Sequence, residues 1–307
     1  MKGKLKRYLS ADGAVVCAVL EGTEMCREME RIHKTSAVCT AALGRLSMAA
    51  SLIGYTLKNP GDTVTVRLDG GGPAGILLAV ADDLGNVKSY VDQPVVELPL
   101  NAKGKLDVAG AVGTDGTLFV IKDIGLKEPY SGQTALVSGE IAEDITQYFA
   151  DSEQVPSACG LGVLVNPDLT VACAGGYLIQ LLPFAPESDI TQLEENLRDV
   201  TSVTDLLRSG MTAVDIAQKL MAGLDAELLD ESEPAYACDC SRAVHHAHEG
   251  TAPCLAALPG HKGVRWRRLE VVRLVRHARE ALGGRRLDLV DLAVFAAGHE
   301  QTRPVVP

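Results

Sequence analysis

The sequence predicts an α+β fold: an antiparallel sheet with packed helices, followed by a helical linker and a small, atypical C-terminal segment. Three observations predict it. Strand-like alternation recurs in hairpin-spaced pairs without a βαβ rhythm up to about Pro183. Short amphipathic helices replace the strands after that point. The composition then changes abruptly after Arg242. A chain of 307 residues, 47% hydrophobic and 22% charged, is expected to be a folded globular protein of two or three domains. Aromatic residues supply only 4%, so the core must be aliphatic. No apolar run reaches the roughly 20 residues of a membrane span, and the start, Lys2 to Arg7, is charged. No membrane partner and a cytoplasmic location are therefore expected.

Along the chain, Met25, Met29 and Ile32 recur at helical spacing. Ser36 then stands where it could cap a longer helix carrying Leu43, Leu46, Ala50, Ile53 and Leu57, which Asn59-Pro60-Gly61 would stop. Val64, Val66 and Leu68 alternate as a strand, Gly70 to Pro73 turn the chain, Ile76 to Val80 return, and a turn near Gly85-Asn86 leads to Val87 to Val91. That is a β-meander. Further strands are expected at Thr117 to Ile124, Leu161 to Val165 and Val171 to Ile179, with a helix through Ile141, Ile145, Tyr148 and Phe149 that Ser138 could cap. Beyond Pro183, Ser188, Ser202 and Thr212 each open a short helix, and no strand is expected between 184 and 231. Such helices either lie on the sheet or detach and offer their apolar faces to a partner.

Catalytic machinery is not expected, and the chain is read as a non-enzyme. Gly70-Gly71-Gly72 lacks the Lys-Ser/Thr of a phosphate loop, and His33, alone before residue 245, reads as a packing or capping residue at a helix end. Of eight cysteines, Cys17, Cys26, Cys39, Cys159 and Cys173 sit in apolar text and read as core residues. Cys238 and Cys240 are different. Two thiolates one residue apart can share a soft metal or oxidise, which makes them the candidate metal-binding and redox-active residues. Two ligands do not complete a zinc site, and Cys254, His245, His246 and His248 are the candidates to add to them, though at no familiar spacing.

Charge divides the chain. Up to Ser241 there are 18 basic and 34 acidic residues, a balance of −16, whereas from Arg242 there are 11 and 6, a balance of +5. Ten of those eleven basic residues are arginine, and the same stretch holds six of the seven histidines and the sole Trp.

Five long stretches stand out: His33-Lys34-Thr35-Ser36 with Ala41 to Arg45, Gly104 to Val108 with Gly110 and Gly113, Ile121-Lys122-Asp123 with Tyr130 to Gln133, Leu136 to Asp144, and Ser152 to Gln154 with Pro156-Ser157. Together they resemble the 33 kDa chaperonin family of redox-regulated heat-shock chaperones. The resemblance covers about 1–242. It implies an ATP-independent holdase that binds unfolding client proteins under oxidative stress, with one zinc per chain and a homodimer on activation. It also implies a substrate-binding core at 1–183, a helical linker at 184–231 and a C-terminal redox and zinc region at 232–307. Cys238 and Cys240 fall on the first half of the family's C-x-C and C-x-x-C zinc motif, as two of four thiolate ligands. The second half is missing here, so an impaired switch is expected.

Two other classes are weaker. A thiol oxidoreductase would want C-x-x-C at a helix start. A nucleic-acid binder is suggested by Arg265-Trp266-Arg267-Arg268 and by Arg273, Arg276 and Arg279 on one face of an Arg-rich C-terminal helix, but the remaining −16 repels phosphate. The abrupt boundary also fits a shift of reading frame after about 242. Read one base later, Val-Arg codons GTN-CGN contain TNC, a Cys codon when N is G. Val272-Arg273 and Val275-Arg276 would then conceal a C-x-x-C, and Arg265 to Arg267 can conceal Asp-Gly, which family members often carry before their second cysteine pair.

Overall fold

The computed structural model describes residues 2–183, 185–200 and 202–237. Within them lie two five-stranded antiparallel sheets rather than the one expected. The first contains β1 (Lys4–Leu9), β2 (Val15–Glu21), β8 (Ser157–Val165), β9 (Val171–Leu181) and β10 (Glu227–Ser232), in the order β10-β1-β2-β9-β8. The second contains β3 (Thr63–Asp69), β4 (Leu77–Asp82), β5 (Val87–Val91), β6 (Thr117–Asp123) and β7 (Tyr130–Ala135), in the order β5-β4-β3-β6-β7. The meander β3-β4-β5 is present as expected.

Helix α1 (Thr23–His33) lays Met25, Cys26 and Met29 on the core. Helix α2 (Ala37–Gly54) touches strands of both sheets and is buried almost all round, from Val38 and Cys39 to Ile53. Its length and composition would suit a membrane span, yet it is the central, buried core helix. It ends at Gly54, before the expected stop at Asn59, and there the chain packs against Asp82 so closely that a Cβ on Gly54 would collide with the Asp82 carbonyl. Nor does Ser36 cap it with its side chain. The hydroxyl instead donates to Val96 O (2.7 Å) and accepts from Val96 N (3.1 Å), pinning the loop after β5 to the helix start.

Helix α3 (Val108–Val112) is short and capped by Asp107, and α4 (Ala142–Tyr148) runs into a π-helical turn at Phe149–Glu153. Ser138 does not cap α4. That role falls to Asp144, whose buried carboxylate accepts from Val137 N, Ser138 N and Ile141 N.

The last three helices are α5 (Glu187–Arg198), α6 (Val203–Arg208) and α7 (Ala213–Leu220). Ser202 and Thr212 cap α6 and α7 as expected, by accepting from Asp205 N and Asp215 N. Strands do not vanish after Pro183, however. Strand β10 pairs with β1, Leu5 opposite Ser232 and Leu9 opposite Glu227, through Lys6–Glu231 and Arg7–Asp230 ion pairs. An acidic segment becomes a strand here because a cationic strand awaits it.

Candidate functional site

Strand β2 reads Val15-Val16-Cys17-Ala18-Val19-Leu20, apolar at successive positions rather than alternate ones. A strand of that kind needs cover on both faces. One face, with Leu5, Ala18, Leu20 and Leu178, joins the main core around α2. The other carries Tyr8, Cys17 and Ile179 in one cross-strand row and Val19 beside Tyr177 in the next. This second face is covered by α5, α6 and α7, which contribute Leu193, Val203, Ala213, Ile216, Ala217 and Leu220, with Met221 and Leu224 following.

The cover is apolar with few polar ties. Glu21 on β2 accepts from Ala213 N at the start of α7, an anion at a helix N-terminus. Cys173 Sγ lies 3.6 Å from Thr204 O, and Ala11 N donates to Leu224 O (3.2 Å). Asn196 of α5 donates to Leu220 O (3.0 Å) and Ala222 O (2.8 Å), tying α5 to the end of α7. With 12, 6 and 8 residues, these helices are near or below the ~12–15 residues at which an isolated helix becomes marginal in water. Their helicity depends on the sheet face beneath them. What they cover is a strip of Tyr, Val, Ile and Cys side chains.

The candidate site residues Cys238 and Cys240 lie outside the described residues, as do Cys254, His245, His246, His248 and the arginines from 265 onward. Among the described residues no group of three or more His, Cys, Asp or Glu could hold a metal. Cys17, Cys26 and Cys39 are buried, and Cys159 and Cys173 are partly covered. Burial pushes the thiols of Cys17, Cys26 and Cys159 up to about 12, the opposite of what a nucleophilic thiol needs. His33 packs rather than catalyses: its Nε2 lies 2.7 Å from the Tyr236 hydroxyl, ring edge against ring face, and burial lowers its pKa. Gly70 to Gly72 form part of the β3–β4 connection, with Gly72 N donating to Val112 O (2.9 Å). The apolar platform was not found from sequence. Its signal was the unbroken apolar run of β2, which alternation templates pass over.

The sequence model of the Hsp33 protein family matches residues 3–247. The 33 kDa chaperonin of Agathobacter rectalis is 46% identical over 242 residues, 79% of this chain and 84% of that protein. That of Clostridioides difficile is also 46% identical over 242 residues, covering 79% of this chain and 83% of its own. The crystal structure of the 33 kDa chaperonin, or heat shock protein 33 homologue, of Thermotoga maritima superposes with a TM-score of 0.75 at 31% identity, over 90% of this chain and 89% of that one. By class the protein is a chaperone. The chain belongs to the Hsp33 family.

Proposed function

We propose that the protein is an ATP-independent holdase of the cytoplasm that binds unfolding clients on the apolar face of β1, β2 and β9 once α5–α7 have left it. The observation that carries this reading is a second apolar sheet face whose cover, among the described residues, is three short helices with few polar ties. Clients in the act of unfolding expose the same chemistry, so platform and client bury each other at the cost of the helical cover. ATP has no role in such an exchange, because binding is driven by surface alone.

Redox control is assigned to Cys238 and Cys240, in a C-terminal region at 232–307 that follows a linker at 184–231 and a substrate-binding core at 1–183. Oxidation of two thiolates to a disulfide by peroxide removes both from any metal, and with it the folding energy the metal supplies. In the family that metal is zinc held by four thiolates. Two thiolates fill half of such a tetrahedron, so Cys238 and Cys240 by themselves do not make a tight zinc site. Activity is then partly constitutive, and dimerisation, tied to activation in the family, follows the exposed face.

Light scattering of a thermally unfolding client tests the reading, with reduced protein, peroxide-treated protein and an Ile216→Glu variant side by side. Ile216 is buried between α7 and the sheet, so a carboxylate there drives the cover off without oxidant. Suppression by Ile216→Glu in the reduced state is expected. No suppression by any of the three would sink the reading.

A further inference from the structure

The chain leaves β10 and crosses from the first sheet to the second just before Cys238. Gly3 N donates to Pro234 O (2.6 Å), and Ala235 bridges Lys2 on the β1 side. Val87 N then donates to Ala235 O (2.9 Å) and Ala237 N to Val87 O (2.9 Å), so that Tyr236 extends the edge of β5 as a parallel bridge. Ala235 N adds a bond to Asn86 Oδ1 (3.0 Å). The Tyr236 ring is buried, and its hydroxyl is enclosed by Ser89 N, Ser89 O and Ser89 Oγ, each at 3.1 Å, and by His33 Nε2 at 2.7 Å. Ser47 Oγ of α2 lies 2.9 Å from Ser89 Oγ and continues the network into the core helix.

This is more anchorage than the end of an edge strand requires. It stands two residues before the candidate thiol pair, and it is the last described hold on a segment that continues backward through β10 to α7. We propose that Tyr236 is a positioning residue, the catch that transmits the state of the Cys238–Cys240 region to the cover of the apolar face. While the hydroxyl is seated, β10 is held at both ends and α5–α7 stay docked. Once Tyr236 is unseated, β10 opens from its C-terminal end, the Lys6–Glu231 and Arg7–Asp230 pairs separate in turn, and the turn leading to α7 loses its restraint. The proposal rests on the holdase reading and adds to it the residue through which release begins.

The test is hydrogen exchange on the full reduced chain, run beside the client light-scattering assay. Tyr236→Phe keeps the ring and removes the hydroxyl, leaving the Ser89 groups and His33 without their common partner. Amides of β10 and of α7 are expected to exchange about tenfold faster or more, while β3 and β6 in the second sheet keep their wild-type rates. Client suppression without oxidant should rise in parallel. A purely structural role would instead speed exchange across both sheets together, and that result overturns the proposal, as does faster exchange confined to 234–237. His33→Ala, which removes the shortest of the hydroxyl's contacts from outside the segment, serves as the second variant should Tyr236→Phe fail to fold, and the same pattern is expected of it. Ile216→Glu separates the two levels. If it suppresses aggregation and the catch variants do not, the catch is wrong and the holdase reading stands. If none of them suppresses, the holdase reading fails and the catch with it.

Discussion

At the residue scale, polar groups sealed into an aliphatic core set the largest single-site effects. Asp144 is fully buried and accepts backbone N–H bonds at 2.7 Å from Val137, 3.0 Å from Ser138 and 2.9 Å from Ile141. It thereby holds Ile141, a β-branched residue, at a φ of 72° that such side chains rarely adopt. Asp144→Ala should cost about 2 kcal/mol, because the buried Ile141 N–H and the part-buried N–H groups of Val137 and Ser138 lose one acceptor together. Urea denaturation would show it, and a loss below about 1 kcal/mol would contradict the account. His33 gives a pH signature of definite sign. Burial lowers its pKa from 6.5, so the folded state holds it neutral while the unfolded chain takes up a proton first. Its contribution is fully present above 6.5 and drains away as pH falls from there through the lower folded value. Stability measured between pH 7 and 5 should fall less steeply for His33→Gln than for wild type, and equal slopes would refute the assignment. The cysteines make a third case. With thiols at about 12, Cys17, Cys26 and Cys159 should resist iodoacetamide at pH 8 in the native reduced protein, as peptide mapping would show.

At the element scale, the fold was legible where local pattern and tertiary fate agree. The meander, α1, α6, α7 and the β8–β9 hairpin are written in alternation, helical spacing and caps. Four strands were not. β1 and β2 escaped because β2 is covered on both faces and so lacks alternation, and β1 gains its identity only as its neighbour. β7, Tyr-Ser-Gly-Gln-Thr-Ala, is a polar edge strand with little intrinsic preference. β10, Glu-Leu-Leu-Asp-Glu-Ser, reads as helical linker text, and it becomes a strand only by pairing with β1, whose Lys6 and Arg7 face its Glu231 and Asp230. The candidate platform was hidden for the same reason, since Tyr8, Cys17 and Val19 lie on the two strands that local pattern missed, and only Tyr177 and Ile179 on one it found. One consequence concerns α7. Its first turn depends on Glu21, which lies 192 positions away in sequence and accepts from Ala213 N. Glu21→Gln keeps the shape and removes the charge facing the helix N-terminus, a loss of about 0.3–1 kcal/mol. Exchange of α7 amides should quicken by a few fold while α2 is unaffected, and unchanged α7 rates would show that apolar packing alone holds the helix down.

At the scale of the whole molecule, two boundaries nearly coincide. The charge balance reverses from −16 to +5 at Arg242, and the family match ends at 247. Gradual divergence would blur these boundaries, because substitutions accumulate residue by residue and leave apolar periodicity behind. A change of reading frame moves both at one codon. It also converts lysine-rich, acidic text into arginine, alanine, glycine and histidine at a stroke, which is the change seen. On the proposal of such a shift, the codons at Val272-Arg273 and Val275-Arg276 would supply two further thiolates, with 31 residues between Cys240 and the first of them. The coding DNA is expected to show TGC at both places when read one base later. A protein expressed in that frame should bind one zinc per chain and release it to peroxide, while the chain as it stands should retain zinc weakly and substoichiometrically after dialysis, as metal analysis would report. A stop codon soon after Arg242 in the shifted frame, or one tightly held zinc in the present chain, would overturn the account and turn attention to Cys254 and the histidines as ligands.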